Sequence, residues 1–147
     1  MTLLWVNAAL LAAIFLAAWG ACVALRDVSP VDALWALGMV ALAAFTFVLA
    51  DGPLARRLLL LALCAAWGLR LGIHLLIRWR RQGPDRRYVS LLGKAEARRG
   101  WSFPRASFQL VFAVQAPLLF IVALPVQLGQ IDAAPPLGWL AGLGGLV

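Results

Sequence analysis

The sequence predicts an all-α, multi-pass bundle of transmembrane helices, with four complete spans and a fifth that is cut short. Of the 147 residues, 64% are hydrophobic and 13% are charged, and the mean hydropathy is +0.91. Soluble domains are about half apolar and about a quarter charged, so this composition requires lipid as part of the solvent. The apolar residues also fall into runs long enough to cross roughly 30 Å of hydrocarbon as helices.

A short polar turn separates the first two predicted spans. The first span covers about 3–25, carries no charge and has no basic segment before it, which favours a retained helix over a cleaved signal peptide. Ser29 and Asp32 are predicted to cap the second helix at its N-cap and third helical positions. That helix covers about 33–50 and ends before a turn.

The remaining spans flank a strongly basic segment. Nine of the 13 Lys and Arg residues lie between Arg78 and Arg105, and we predict a loop over 78–107. The third and fourth spans are predicted at about 58–77 and 108–128, and a partial fifth at 137–147. The chain is therefore expected to be a single membrane domain, and the incomplete fifth span predicts that it is the N-terminal fragment of a longer protein.

The distribution of basic residues predicts the orientation. Lys and Arg accumulate in cytoplasmic loops, so we expect the basic loop in the cytoplasm and the N-terminus outside. The same charge in a soluble protein would indicate nucleic acid. Beside membrane spans it favours anionic headgroups, an orientation signal or a phosphorylated ligand. No metal site is expected, because Cys22 and Cys64 lie in apolar runs and His74 is the only histidine.

The third span carries the most informative polar residues. Arg70 has 12 uncharged residues before it in this span and lies about 12 Å from Arg78 along a helix. His74 follows one turn later on the same arc, whereas Gly68 and Gly72 lie on the opposite face and allow another helix to approach. We therefore expect this helix to be central in the bundle, with both faces against protein.

Two interpretations of these polar groups remain open. Arg70 and His74 either line a polar cavity that leads to the arginine cluster, where guanidinium groups pair with phosphate, or they hold helices together. Gln115, an amide in the middle of the fourth span, is expected to find a partner across helices.

Several segments together resemble a bacterial multi-pass membrane family of unassigned function, related to the C-terminal domain of steroid 5-alpha-reductases. They are Asp27-Val28-Ser29-Pro30-Val31-Asp32-x-x-Trp35, Arg70-x-x-x-His74-x-x-x-Arg78, Asp85-Arg86-Arg87-Tyr88, and Phe108 through Gln115 to Leu124-Pro125-Val126-Gln127. The resemblance covers nearly the whole chain.

The resemblance implies a membrane-embedded, NADPH-dependent reductase in the cell inner membrane. Its substrate is expected to be a hydrophobic steroid- or lipid-like enone, whose conjugated carbon–carbon double bond accepts hydride from the cofactor. The implied cofactor contacts are Arg70, Arg78 and Arg87, and the implied pocket residues are Trp67, His74, Asp85 and Gln115. Tyr88, the only tyrosine, is the candidate proton donor.

Two departures from steroid-type enzymes affect this expectation. Trp67 stands where those enzymes have a tyrosine that contacts the substrate carbonyl, and their C-terminal Arg-His-Pro-Asn-Tyr-type motif is absent. The fragment alone is therefore expected not to hold NADPH. The alternatives are an enzyme like the isoprenylcysteine methyltransferases, which bind S-adenosylmethionine, and a non-catalytic membrane scaffold.

Overall fold

The computed structural model describes residues 2–132, which contain four helices long and apolar enough to cross a membrane. The first three are α1 (Thr2–Leu25), α2 (Val31–Leu49) and α3 (Leu54–Gln82). A shorter helix, α4 (Arg86–Arg99), precedes the fourth span. That span comprises α5 (Phe103–Ser107), a π-helical turn (Phe108–Phe112) and α6 (Ala113–Ile131).

These elements confirm the predicted all-α, multi-pass fold. No strand occurs within the described range. The predicted partial fifth span at 137–147 lies outside the described residues.

Helix α2, rather than α3, lies at the centre of the described bundle. It packs against α1, α3 and α6. In its most apolar 18-residue window 44% of the residues are buried, against 17% in α3. A Cβ atom on Gly68 would lie 2.8 Å from the carbonyl oxygen of Ala36, so the expected close approach at the glycine face is confirmed. The opposite face of α3 is exposed within the described residues, and the prediction of a central α3 was wrong there.

Helix α3 is also longer than predicted. It begins at Leu54, runs through Gln82 and has 29 residues, a length of about 43 Å. The side chain of Arg57 hydrogen-bonds the carbonyl groups of Phe47 and Gly52, and its guanidinium carbon lies 4.9 Å from the centre of the Phe47 ring. These bonds explain why Arg57 can occupy the first turn of a membrane helix.

The prediction of a loop over 78–107 was wrong, because much of this segment is the helix α4. The Asp85 carboxylate caps α4 by accepting a 2.8 Å hydrogen bond from the Arg87 amide. Gly100, with φ +63°, ends it in the left-handed conformation. Leu92 and Ala95 are buried. Their helical spacing is present in the sequence, but the surrounding charges conceal it.

The expected capping role of Ser29 and Asp32 was also wrong. Helix α2 begins directly after Pro30 and has no side-chain cap. The Ser29 hydroxyl instead donates to Asp27 over 2.6 Å and accepts the amide N–H of Asp85 over 2.7 Å. Asp32 also bonds to α4. Residues that could close a local turn are used for tertiary contacts.

A buried polar cluster joins three spans at the end of the bundle remote from α4. Asn7 of α1 donates to Thr46 of α2 over 2.8 Å and to Gln127 of α6 over 2.7 Å. Gln130 of α6 donates to the Ala43 carbonyl over 3.2 Å. Asn7, Thr46 and both glutamines are fully buried, so their hydrogen bonds hold α1, α2 and α6 in register.

Candidate functional site

The candidate site lies where α1 and α3 end, α2 begins and α4 packs against them; we call this the basic end. Its centre is the Asp32 carboxylate. One oxygen accepts a 2.6 Å hydrogen bond from the Tyr88 hydroxyl, and the other accepts a 2.9 Å bond from Arg87. A terminal nitrogen of Arg78 lies 3.9 Å from the same carboxylate. Asp32 thus joins α2, α3 and α4.

A second carboxylate, that of Asp85, binds the same two arginines. It accepts bonds of 3.1 Å from Nε of Arg87 and 2.9 Å from Nη2, and Arg78 lies 3.6 Å away. The hydrogen bonds from the Arg87 side chain and amide hold the pKa of Asp85 below its ordinary value. In turn, the hydrogen bond to Asp85 and the charge of Asp32 raise the pKa of Arg87. This arrangement is a charged network stabilised in its ionised form.

Tyr88 is held as a neutral phenol in this network. Burial raises its pKa, and so does the hydrogen bond that its hydroxyl donates to Asp32. A phenol that already donates to a carboxylate is poorly placed to donate to a substrate. The geometry therefore favours a positioning role for Tyr88, between α4 and α2.

Trp79 is fixed near the end of α3 by another carboxylate. Its indole N–H donates a 2.7 Å hydrogen bond to Asp27, whose second oxygen accepts from Ser29. Asp27 lies in the turn between α1 and α2. The orientation of the indole is thus set from outside α3.

Trp79 lines two cavities of different chemistry. The polar cavity, of about 530 Å³, is also lined by Ser29, Asp32, Leu75, Arg78, Gln82 and Asp85. The apolar cavity, of about 230 Å³, is lined by side chains of α1, α2 and α3 together with Phe112. Among its lining residues are Cys22, Val31, Leu34 and Leu76. A polar and an apolar cavity therefore share the Trp79 side chain.

The structure brings together only some of the site residues predicted from the sequence. Arg78 and Asp85 line the polar cavity, and Arg87 and Tyr88 lie beside it in the same hydrogen-bonded network.

The other predicted site residues lie away from this cavity. Trp67, Arg70 and His74 lie on the exposed face of α3, and Arg70 and His74 form no hydrogen bond or ion pair with residues 2–132. Gln115 is half-buried on α6 and also lacks a hydrogen bond within that range.

The roles of Asp27, Asp32 and Trp79 at this site were not predicted from the sequence. The available signal was the distribution of charge: two carboxylates lie at or near the short turn between two apolar spans, and the largest group of basic residues lies from Arg78 onward. Buried or half-buried carboxylates require compensating partners. That requirement would have directed Asp32 toward the arginines at and beyond the end of the third span.

Within residues 2–132 no group of three or more His, Cys, Asp or Glu residues is arranged to hold a metal ion.

Comparison with known proteins adds a family assignment. No curated protein and no solved structure matches the chain. The model of one family, DUF1295, matches residues 18–147. Because this match covers most of the sequence, the chain belongs to the DUF1295 family, whose members are described as proteins of unknown function.

Proposed function

We propose that the chain forms part of a membrane-embedded, NADPH-dependent reductase that acts on a carbon–carbon double bond of a hydrophobic enone-like lipid. The observation that carries this proposal is the pair of cavities that share Trp79, one polar and the other apolar. An enzyme that combines a charged nucleotide with an apolar substrate requires two such volumes side by side. The resemblance to the C-terminal domain of steroid 5-alpha-reductases supports the same reaction class.

Arg78 is the residue best suited to bind a cofactor phosphate. Its side chain is 41% exposed, and the nearest carboxylate oxygens, 3.6 and 3.9 Å away, are already hydrogen-bonded to Arg87. Arg78 therefore keeps N–H donors for a phosphate, which guanidinium groups bind bidentately. Arg86, which also lines the polar cavity, adds a second positive charge.

Arg87 and Asp85 support the proposed site and do not themselves bind the cofactor. Nε and one terminal nitrogen of Arg87 are bonded to Asp85 and Asp32, so the group has few donors left for a ligand. Its bonds instead hold α4 against the cavity. Tyr88 contributes to the same support through Asp32.

Arg70 and His74 extend the proposed site along α3. Residues four apart on a helix are neighbours, so Arg70, His74 and Arg78 form an ascending polar row that reaches the polar cavity at Arg78. A charge on a membrane helix without a partner costs about 2.5–3.5 kcal/mol on insertion scales. A bound ligand or a further protein segment over this row would offset that cost. Arg70 and Arg78 are about 12 Å apart along the helix. NADPH is longer than this separation, so one cofactor molecule is long enough to contact both residues.

We infer that the protein lies in the inner membrane of the cell. Its basic end faces the cytoplasm, and its N-terminus lies outside. Arg26 and the nine basic residues from Arg78 to Arg105 lie at the basic end, against Arg56 and Arg57 at the other. Lys and Arg predominate on the cytoplasmic side. A membrane-impermeant thiol reagent should therefore label a Ser90→Cys variant only after the membrane is opened.

NADPH binding by the full-length protein tests the proposal. We expect Arg78→Leu to weaken binding by about tenfold or more, as for loss of a charge-assisted hydrogen bond, and Arg70→Leu to weaken it as well. Arg80→Leu removes an equally charged, exposed residue outside the cavity lining and should leave affinity unchanged. If all three variants bound NADPH as tightly as the wild type, the proposed site would be wrong.

The same protein distinguishes the alternative functions. NADPH should raise the unfolding temperature, whereas S-adenosylmethionine should not. The opposite pattern would indicate an enzyme like the isoprenylcysteine methyltransferases. If neither compound shifted the temperature while Arg70 and His74 variants still lost stability, the polar residues would serve a scaffold.

A further inference from the structure

A second group of arginines lies at the start of the fourth span, outside the proposed cofactor site. The guanidinium carbons of Arg99 and Arg105 lie 4.8 and 4.9 Å from the ring centre of Trp101. Trp101 is half-buried and both arginines are exposed. We call these three residues the Trp101 patch.

The positive charge of the Trp101 patch is not compensated within the described chain. Neither Arg99 nor Arg105 forms a hydrogen bond or ion pair with residues 2–132, and Glu96, one turn earlier on α4, pairs with neither. The arginines near Asp32 and Asp85 differ, because each lies within 4 Å of those carboxylates. The Trp101 patch therefore keeps its full charge among the described residues, and it places two such arginines against one aromatic ring.

The geometry leaves the donors of the patch available. A guanidinium that contacts an aromatic face does so by cation–π attraction, and its N–H groups remain free for the oxygens of a phosphate. Both guanidinium carbons lie near one ring, so they are within roughly 10 Å of each other, about one Debye length. The indole N–H of Trp101 has no acceptor among the described residues either.

The position of the patch specifies the kind of anion. Gly100 ends α4, and Phe103 begins the apolar segment Phe103–Ile131 that is long enough to cross a membrane. Trp101 thus lies where the chain enters the lipid, the level at which tryptophan side chains occupy the boundary between water and hydrocarbon. Anionic headgroups are concentrated at this level.

We propose that the Trp101 patch binds the phosphate of an anionic phospholipid headgroup. Arg99 and Arg105 donate to the phosphate oxygens, and Trp101 holds the two guanidinium groups toward the headgroup layer. The site is independent of the proposed cofactor site, because its residues do not line the polar cavity.

The test uses the full-length protein in nanodiscs of phosphatidylglycerol or of phosphatidylcholine. Native mass spectrometry measures lipid binding. The second readout is the shift in unfolding temperature between the two lipids. Removing both guanidinium groups (Arg99→Gln with Arg105→Gln) should weaken phosphatidylglycerol binding at least about tenfold and abolish the shift. The control, Arg80→Gln with Arg81→Gln, removes the same charge from exposed residues of α3 and should retain both.

Two further measurements distinguish binding at the Trp101 patch from a general effect of positive charge. Arg99→Lys with Arg105→Lys keeps the charge and should lose at least half of the shift, because an ammonium group is a strongly hydrated point charge that does not bind phosphate bidentately. An equal loss in the control, or full retention in the lysine variant, would overturn the proposal. A shift of the same size with inorganic phosphate in lipid-free detergent would also overturn it, because the ligand would then be a soluble anion.

Discussion

The hydroxyl of Tyr88 donates a 2.6 Å hydrogen bond to Asp32, and this contact joins α4 to the first turn of α2. Arg87 bonds the same carboxylate over 2.9 Å. Two neighbouring residues of α4 therefore converge on one side chain of the central helix. The wall of the polar cavity depends on this convergence, because Asp32 and Asp85 both line it.

The variant Tyr88→Phe isolates the Asp32 contact. It removes the hydroxyl and keeps the ring, so we expect the free energy of unfolding to fall by about 1.5–3 kcal/mol, as for a hydrogen bond to a charged group. Unfolding by sodium dodecyl sulfate in mixed micelles measures the change. Ser90→Ala removes an exposed hydroxyl from the same helix and should change stability little. Equal stability of the two variants would argue against the contact.

Gly68→Ala tests the approach of α3 to α2. The added Cβ would lie 2.5 Å from a methyl carbon of Val40 and 2.8 Å from the backbone oxygen of Ala36. The helices would have to separate, at a cost of about 1–3 kcal/mol. Gly20→Ala is the matched control, because a Cβ there meets nothing within 4 Å. If both alanines had the same effect in the same unfolding assay, the close packing would be wrong.

A double-mutant cycle on Asn7 and Gln127 tests the buried polar cluster. Asn7→Leu and Gln127→Leu should each destabilise the bundle, and together they should be non-additive by about 0.6–1.7 kcal/mol, the range for hydrogen bonds between membrane helices. Asn7→Leu combined with Gln109→Leu should be additive, because Gln109 is exposed. Additivity in the first cycle would show that the bond contributes no stability.

Asp85 predicts a specific sensitivity to acid. Its pKa is held below the ordinary value, so the stability it contributes is present above about pH 4 and is lost as the pH falls through its folded-state pKa. In Asp85→Asn this loss should be absent, and the fall in stability below pH 5 should be shallower than in the wild type. Glu96→Gln removes an exposed carboxylate of the same helix and should retain the wild-type slope. Parallel slopes for the wild type and Asp85→Asn would contradict the network.

The sequence was sufficient for the spans because their signal is local. Uninterrupted apolar runs predict a membrane helix whatever they pack against, and the Gly68 and Gly72 spacing predicted the face that meets α2. The centre of the bundle was not predictable in this way. Small residues such as Ala33, Ala36 and Gly38 make α2 central, and their effect depends on which helices surround them.

The candidate site was only partly predictable from the sequence, because several of its contacts join residues that are far apart along the chain. The basic cluster and its likeness to a known family pointed to Arg78, Asp85 and Arg87. The contacts of Asp32 with Arg87 and Tyr88 span 55 and 56 positions along the chain, and no local pattern encodes them. Local capping rules instead assigned Asp32 to its own helix.

Binding of NADPH in the polar cavity can be measured by the protection of a cysteine placed in the cavity wall. Gln82 is exposed and lines that cavity, and the native Cys22 and Cys64 are buried. The rate of thiol labelling of Gln82→Cys is measured in the full-length protein with and without saturating NADPH. Ser90→Cys, on the exposed side of α4, serves as the control position. We predict that NADPH slows labelling at position 82 several-fold and leaves position 90 unchanged; equal rates at position 82 with and without NADPH would show that the cofactor does not occupy this cavity.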